Sequence, residues 1–266
     1  MKKRLLTLSL ALIIAFGAFG ITALADSKTA ASPTASTVSV DGTVIAFEAY
    51  NIGGSNYFKL RDLALTLSGT EKQFEVGYDN ENKVITLTSG DPYTAVGGEM
   101  AKGTAGKKSA SPSTSMMFFD DKMLGLEAYN IGGNNFFKLR DLMMVLDVYV
   151  GYDNATKAIT LDTSKGYIAE GASLTAVEAR AVLQDWLDEH SEMSHYDLDQ
   201  YFCSMFNHDG TDYYRLHQVQ TYYFDFMVNT KTGELFCRQT TDGEFPDDPI
   251  FETLDDYYDS LYGAKG

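Results

Sequence analysis

The chain has 266 residues, 44% of them hydrophobic and 13% aromatic, which is enough apolar material for a packed core and excludes a disordered chain. Acidic residues outnumber basic ones by 37 to 21, a formal charge of −16, and such a surface repels nucleic acid and anionic lipid. The length exceeds the roughly 100 to 150 residues of a typical single core and argues for more than one domain.

The first element is at the N-terminus, where Lys2, Lys3 and Arg4 precede an apolar run from Leu5 to Ile21 and the small-residue site Ala23-Leu24-Ala25. This is the order of charge, apolar core and cleavage site in a secretory signal peptide, so residues 1–25 are expected to be removed. The mature chain then starts near Asp26, secreted or associated with the cell surface, with no membrane span left. Three basic residues and no acidic one leave with the signal, taking the formal charge from −16 to −19. Contact with an acidic wall polymer would then run through divalent cations or neutral sugars. Residues 26–35 read as a flexible linker.

An internal repeat follows. Residues 47–67, FEAYNIGGSNYFKLRDLALTL, match residues 126–146, LEAYNIGGNNFFKLRDLMMVL, without gaps at an offset of 79 (Asn51 to Asn130). Downstream, VGYDNENKVITLTS (76–89) matches VGYDNATKAITLDT (150–163) at an offset of 74 (Asp79 to Asp153). In each copy the alternation over Thr43 to Ile52, or Lys122 to Ile131, predicts a strand. Gly53-Gly54 and Gly132-Gly133 supply the positive φ of a tight hairpin. Leu60, Leu63, Ala64 and Leu67, like Leu139, Leu142, Met143 and Leu146, then fall on one face of a short helix. A second hairpin closes each copy, entering its turn through Tyr78-Asp79-Asn80 or Tyr152-Asp153-Asn154.

These segments resemble the copper amine oxidase N-terminal-like, or stalk, domain: a glycine-turned strand pair, a K-L-R-D-L helix start, a V-G-Y-D strand and a K-x-I-T-L strand, in two copies. The resemblance covers residues 36–167, with repeat 1 over 36–91, a projecting loop over 101–115 and repeat 2 over 116–165. It implies an α+β spacer or wall-associated module of two homologous β-rich repeats, each with one short helix. It does not extend to the oxidase chemistry. That chemistry needs a histidine trio and a tyrosine in an N-Y-D/E context, whereas His190, His195, His208 and His217 all lie outside the repeats and Asn56-Tyr57 is followed by Phe58.

Within the copies, Arg61-Asp62 and Arg140-Asp141 have the donors for a sugar or carboxylate, but a structural role at the helix start is the preferred reading. Tyr50, Asn51, Tyr129 and Asn130, beside the glycine pairs, are likewise read as structural. In the loop, Lys102, Lys107 and Lys108 form a basic spot on an acidic protein.

The second domain spans 171–266 and reads as a helix followed by an antiparallel meander. Ser173 or Thr175 caps a helix running to about His190. Strands are expected over Gln200–Phe206, Tyr213–Val219, Tyr222–Val228 and Glu234–Gln239, and a last helix over Ile250–Leu261. The domain is similar to PepSY-like and cystatin-like exported domains, which implies binding of peptides or restraint of proteases. Cys203 and Cys237 read as a disulfide, with two buried free thiols or a redox pair as the alternatives.

Tyr213, Tyr214, Tyr222 and Tyr223 are the candidate ligand surface, one member of each pair in the core and one exposed. His208, Asp209, Asp212 and Ser204 resemble a triad fragment, but they surround a tight turn and lack a nucleophile elbow, so no catalytic residues are assigned. Asn207–Asp212 and the acidic run Asp242–Asp248 lack the spacing of a strong calcium site. The expected function is a non-catalytic scaffold or binding protein, with no cofactor, meeting a peptide, protein or cell-wall glycan. The alternatives are a peptidase inhibitor and, more distantly, a hydrolase.

Overall fold

A computed structural model describes residues 28–219, 224–239 and 250–263. The expected signal peptide and the acidic run Asp242–Asp248 lie outside them. The protein is mixed α+β and rich in strand. In chain order the first part contains β1 (Thr29–Pro33), β2 (Thr37–Val40), β3 (Thr43–Ile45), β4 (Ala49–Ile52), β5 (Ser55–Lys59), α1 (Leu60–Leu67), β6 (Phe74–Asp79) and β7 (Val84–Ser89). The same order recurs as β8 (Lys108–Pro112), β9 (Met116–Phe119), β10 (Lys122–Leu124), β11 (Ala128–Ile131), β12 (Asn134–Lys138), α2 (Leu139–Val145), β13 (Tyr149–Asp153) and β14 (Ala158–Asp162).

The two copies are interlocked. Six strands close a barrel in the order β1-β4-β5-β12-β11-β8, three from each copy, and β5 meets β12 with Phe58 opposite Phe137. Each outer sheet also draws on both copies: β10-β9-β7-β6 joins parallel β7 and β9, and β13-β14-β2-β3 joins parallel β14 and β2. The joins are locked identically. Asp41, at φ +48, accepts from the Thr163 amide and hydroxyl, and Asp120, at φ +47, accepts from those of Ser89.

Strand alternation sorts the apolar residues into two cores. On β5, Tyr57 turns into the barrel and Phe58 turns out toward the helices. The barrel is filled by Tyr50, Ile52, Tyr57, Ile131 and Phe136 over the small Ala31 and Ala110. Its rings pair edge to face across the copies, Tyr50 with Phe136 at 5.4 Å and Tyr57 with Tyr129 at 5.3 Å. Outside, Leu60, Leu63, Ala64 and Leu67 of α1 and Leu139, Leu142 and Met143 of α2 bury their faces in the main core. The expected helix faces and glycine hairpins are therefore present.

Three local expectations need correction. The linker expected at 26–35 carries β1, and the loop expected at 101–115 carries β8, because Ala31 and Ala110 are fully buried barrel residues. The single strand expected from Thr43 to Ile52 breaks after Ile45, since β3 pairs with β2 in an outer sheet while β4 enters the barrel. The equivalent stretch Lys122 to Ile131 breaks in the same way.

The C-terminal part contains α3 (Ala176–Glu189), β15 (Phe202–His208), β16 (Thr211–His217), β17 (Phe224–Asn229), β18 (Leu235–Gln239), β19 (Ile250–Thr253) and α4 (Leu254–Tyr262). The strands form one antiparallel sheet in chain order. A capping box starts α3: Thr175 accepts from the Glu178 amide while Glu178 accepts from the Thr175 amide. The expected helix over Ile250–Leu261 begins four residues late. Ile250–Thr253 instead pairs with β18, and Thr253 caps α4 by accepting from the Asp256 amide. The Tyr214 hydroxyl accepts from the Ala169 amide and donates to the Leu174 carbonyl, tying this sheet to the segment that follows β14. Among the described residues, no helix is long and apolar enough to cross a membrane.

Candidate functional site

The interlocking leaves two matching clefts. The first, about 560 Å³, has Arg61, Tyr78 and Lys83 of the first copy facing Ser113–Ser115 and Asn134–Asn135 of the second. The second, about 540 Å³, has Arg140, Tyr152 and Lys157 facing Thr34–Ser36 and Ser55–Asn56. The offsets of 79 and 74 carry one set onto the other, and each cleft needs both copies for its walls.

Lys83 and Lys157 end the β6–β7 and β13–β14 turns at φ +54 and +60, a left-handed conformation that favours glycine. Both copies nevertheless place a long cation there, at the cleft rim. The aspartate that starts each turn supports it, with Asp79 accepting from the Glu81 and Asn82 amides and Asp153 from those of Ala155 and Thr156. The Asn82 side-chain amide, which also donates to Asp79, and then these backbone bonds hold the Asp79 carboxyl below the usual range, and the backbone bonds do the same for Asp153.

The Arg-Asp pairs divide between two roles. Asp62 is fully buried, accepts from the Met100 amide at 2.9 Å and lies 3.2 Å from Lys59 Nζ, and burial raises its pKa. These contacts tie that aspartate into the fold. Arg61 turns the other way, lines the first cleft, and makes no hydrogen bond or ion pair with any described residue. Its counterpart Arg140 lies 3.4 Å from Glu170 Oε2.

The tyrosine surface is not found as expected. Tyr213 and Tyr214 do point to opposite faces, but Tyr213 is only 5% exposed and Tyr214 is fully buried. The outer face is covered by ring packing, with Tyr213 edge-on to Phe236 at 5.5 Å and to Phe251 at 5.3 Å. Tyr222 and Tyr223 lie outside the described residues. Tyr50 and Tyr129 belong to the barrel, and Asn51 and Asn130 to its hairpins, where Asn130 accepts from the Gly133 amide.

The expected disulfide is not formed; Cys203 and Cys237 are free thiols. They occupy one cross-strand row, Cys203, Leu216, Phe226, Cys237, which separates them by three strand spacings, about 14 Å. Burial pushes both thiols up to about 12, which leaves them unreactive.

The triad fragment is also dispersed. Asn207 donates to Asp212 in the hairpin, and Ser204 lies 3.0 Å from His217 Nε2 rather than near His208. Burial lowers the His217 pKa to about 3, so the ring is a poor proton acceptor. Among the described residues, no group of three or more His, Cys, Asp or Glu is placed to hold a metal ion.

Sequence reasoning overlooked the clefts. Their one signal was the retention of Arg61/Arg140 and Lys83/Lys157 in both copies, and nothing local shows that the two residues face one space. Compared with family models, curated proteins and solved structures, the chain matches none of them.

Proposed function

We propose that this chain is an exported, non-catalytic binding protein of the cell surface or its surroundings. In this reading residues 29–167 form a stalk-type platform of two homologous repeats, beside an α+β interaction domain over 171–266. The observation that carries it is the matched pair of open polar clefts. Each is lined by a guanidinium, an ammonium, hydroxyls and amides, groups that hold a ligand's oxygens but supply no nucleophile paired with a competent base. A platform with its copies interlocked through three sheets holds such clefts at a fixed separation.

The test is capture of the chain from residue 26 on purified wall polymers, set against inhibition assays with extracellular peptidases. Retention on a polymer without peptidase inhibition supports the proposal. Inhibition without retention would transfer the function to the C-terminal domain, and substrate turnover abolished by Ser204→Ala or His217→Ala would make the protein an enzyme.

A further inference from the structure

The two clefts differ in one respect. At Arg140 the chain supplies its own anion, Glu170, whose carboxylate lies 3.4 Å away with the side chain 73% exposed. The offset of 74 continues through this segment, aligning Tyr93-Thr94-Ala95-Val96 with Tyr167-Ile168-Ala169-Glu170. The first copy therefore has Val96, itself 60% exposed, where the second has the carboxylate. Among the described residues Arg61 has no carboxylate within ion-pair distance; its charge acts on the Tyr93 hydroxyl, which donates to Glu99 at 2.7 Å. One cleft thus has, among the described residues, an arginine that already holds a carboxylate, and the equivalent cleft has an arginine that does not.

We infer that the first cleft is a binding site for a carboxylated saccharide, and that Glu170 blocks the second cleft from taking the same ligand. This rests on the binding-protein reading and names its ligand class. Arg61 presents a planar fork of donors matched to a carboxylate, and Lys83 at the rim adds a second cation. The remaining polar wall, Ser113, Thr114, Ser115, Asn134 and Asn135, offers hydroxyls and amides suited to sugar hydroxyls. Tyr78, 40% exposed, adds a ring face on which a sugar can stack. The cleft lacks the large apolar pocket that would select a peptide side chain. The net negative charge does not prevent binding, because charges farther from the cleft than a Debye length of about 8 Å are largely screened.

The experiment is calorimetric titration of the chain from residue 26 with a trisaccharide of galacturonic acid, a neutral trisaccharide of galactose, and a tripeptide with a free C-terminus. The acidic trisaccharide is expected to bind with one equivalent per chain and the other two at least about tenfold more weakly. Arg61→Ala should weaken binding at least about tenfold, and Lys231→Ala, an exposed turn residue outside both clefts, should leave it unchanged. Glu170→Gln should add a second equivalent, a gain that misfolding cannot imitate. Equal binding of the neutral sugar, tighter binding of the tripeptide, indifference to Arg61→Ala, or a single equivalent in Glu170→Gln would each overturn the inference. Retention on wall polymer together with no binding of the acidic trisaccharide would sink this inference and leave the broader reading standing.

Discussion

Replacing Lys59 with methionine removes one end of a buried ion pair for which the second copy provides a half-buried counterpart. Lys59 Nζ lies 3.2 Å from Asp62 Oδ1 and donates to the Gly98 and Ala101 carbonyls at 3.1 and 3.3 Å, with the two side chains 5% and 0% exposed. In Lys59→Met the Asp62 carboxylate remains buried with only the Met100 amide, and breaking such a pair costs about 3–5 kcal/mol. The equivalent pair, Lys138 and Asp141, is just as close at 3.3 Å, but its side chains are 34% and 27% exposed. Partial exposure and screening should make the loss in Lys138→Met smaller than that in Lys59→Met. Urea unfolding followed by far-ultraviolet circular dichroism measures both losses.

The pH dependence gives a second reading of the same variant. Burial raises the Asp62 pKa above 3.8, and an acid whose folded pKa exceeds its unfolded one costs stability above both values and recovers it on acidification. Loss of Lys59 raises that pKa further. The Lys59→Met penalty should therefore be full at neutral pH and shrink as the pH falls through the raised folded pKa toward 3.8. Equal losses in the two variants, or a Lys59→Met penalty that does not depend on pH, would refute the reasoning.

Two further outcomes follow from the backbone and the thiols. Gly133→Ala should cost about 1–2 kcal/mol although an added Cβ meets nothing within 4 Å, because φ is +86 and the penalty is conformational; a neutral effect in urea unfolding would show that the hairpin changes its turn type. Cys203 and Cys237 should resist a thiol reagent in the folded chain and both react in denaturant, with an unfolding midpoint that reductant leaves unchanged; a disulfide-linked mass in the unreduced protein would contradict this.

What was legible in the chain was local. Gly53-Gly54 and Gly132-Gly133 announce their hairpins because two consecutive positive φ values favour glycine, and the i, i+3, i+4 leucines announce α1 and α2 because one face must be buried. The strands TAASP and KSASP have no apolar alternation, and only a barrel interior crowded by Tyr50, Tyr57 and Phe136 makes Ala31 and Ala110 suitable core residues. Cys203 and Cys237 share a compartment in the chain, but strand order decides that Leu216 and Phe226 stand between them. Arg61 and Asp62 look like a unit; the fold sends one into the core and the other into a cleft. Alternation placed Tyr213 and Tyr214 on opposite faces, but it could not show that Phe236 and Phe251 roof the second face.

The parallel pairing of β2 with β14 brings Val38 beside Ile159, and that of β7 with β9 brings Ile85 beside Met117. A ribosome must therefore release the chain through Asp162 before β2 gains its parallel partner β14, and so distant a pairing slows folding. A chain carrying one copy alone would leave strand edges open and find its missing partner in a second molecule. Copies of this unit are thus expected to occur in even number, as a pair in one polypeptide or as a dimer of two.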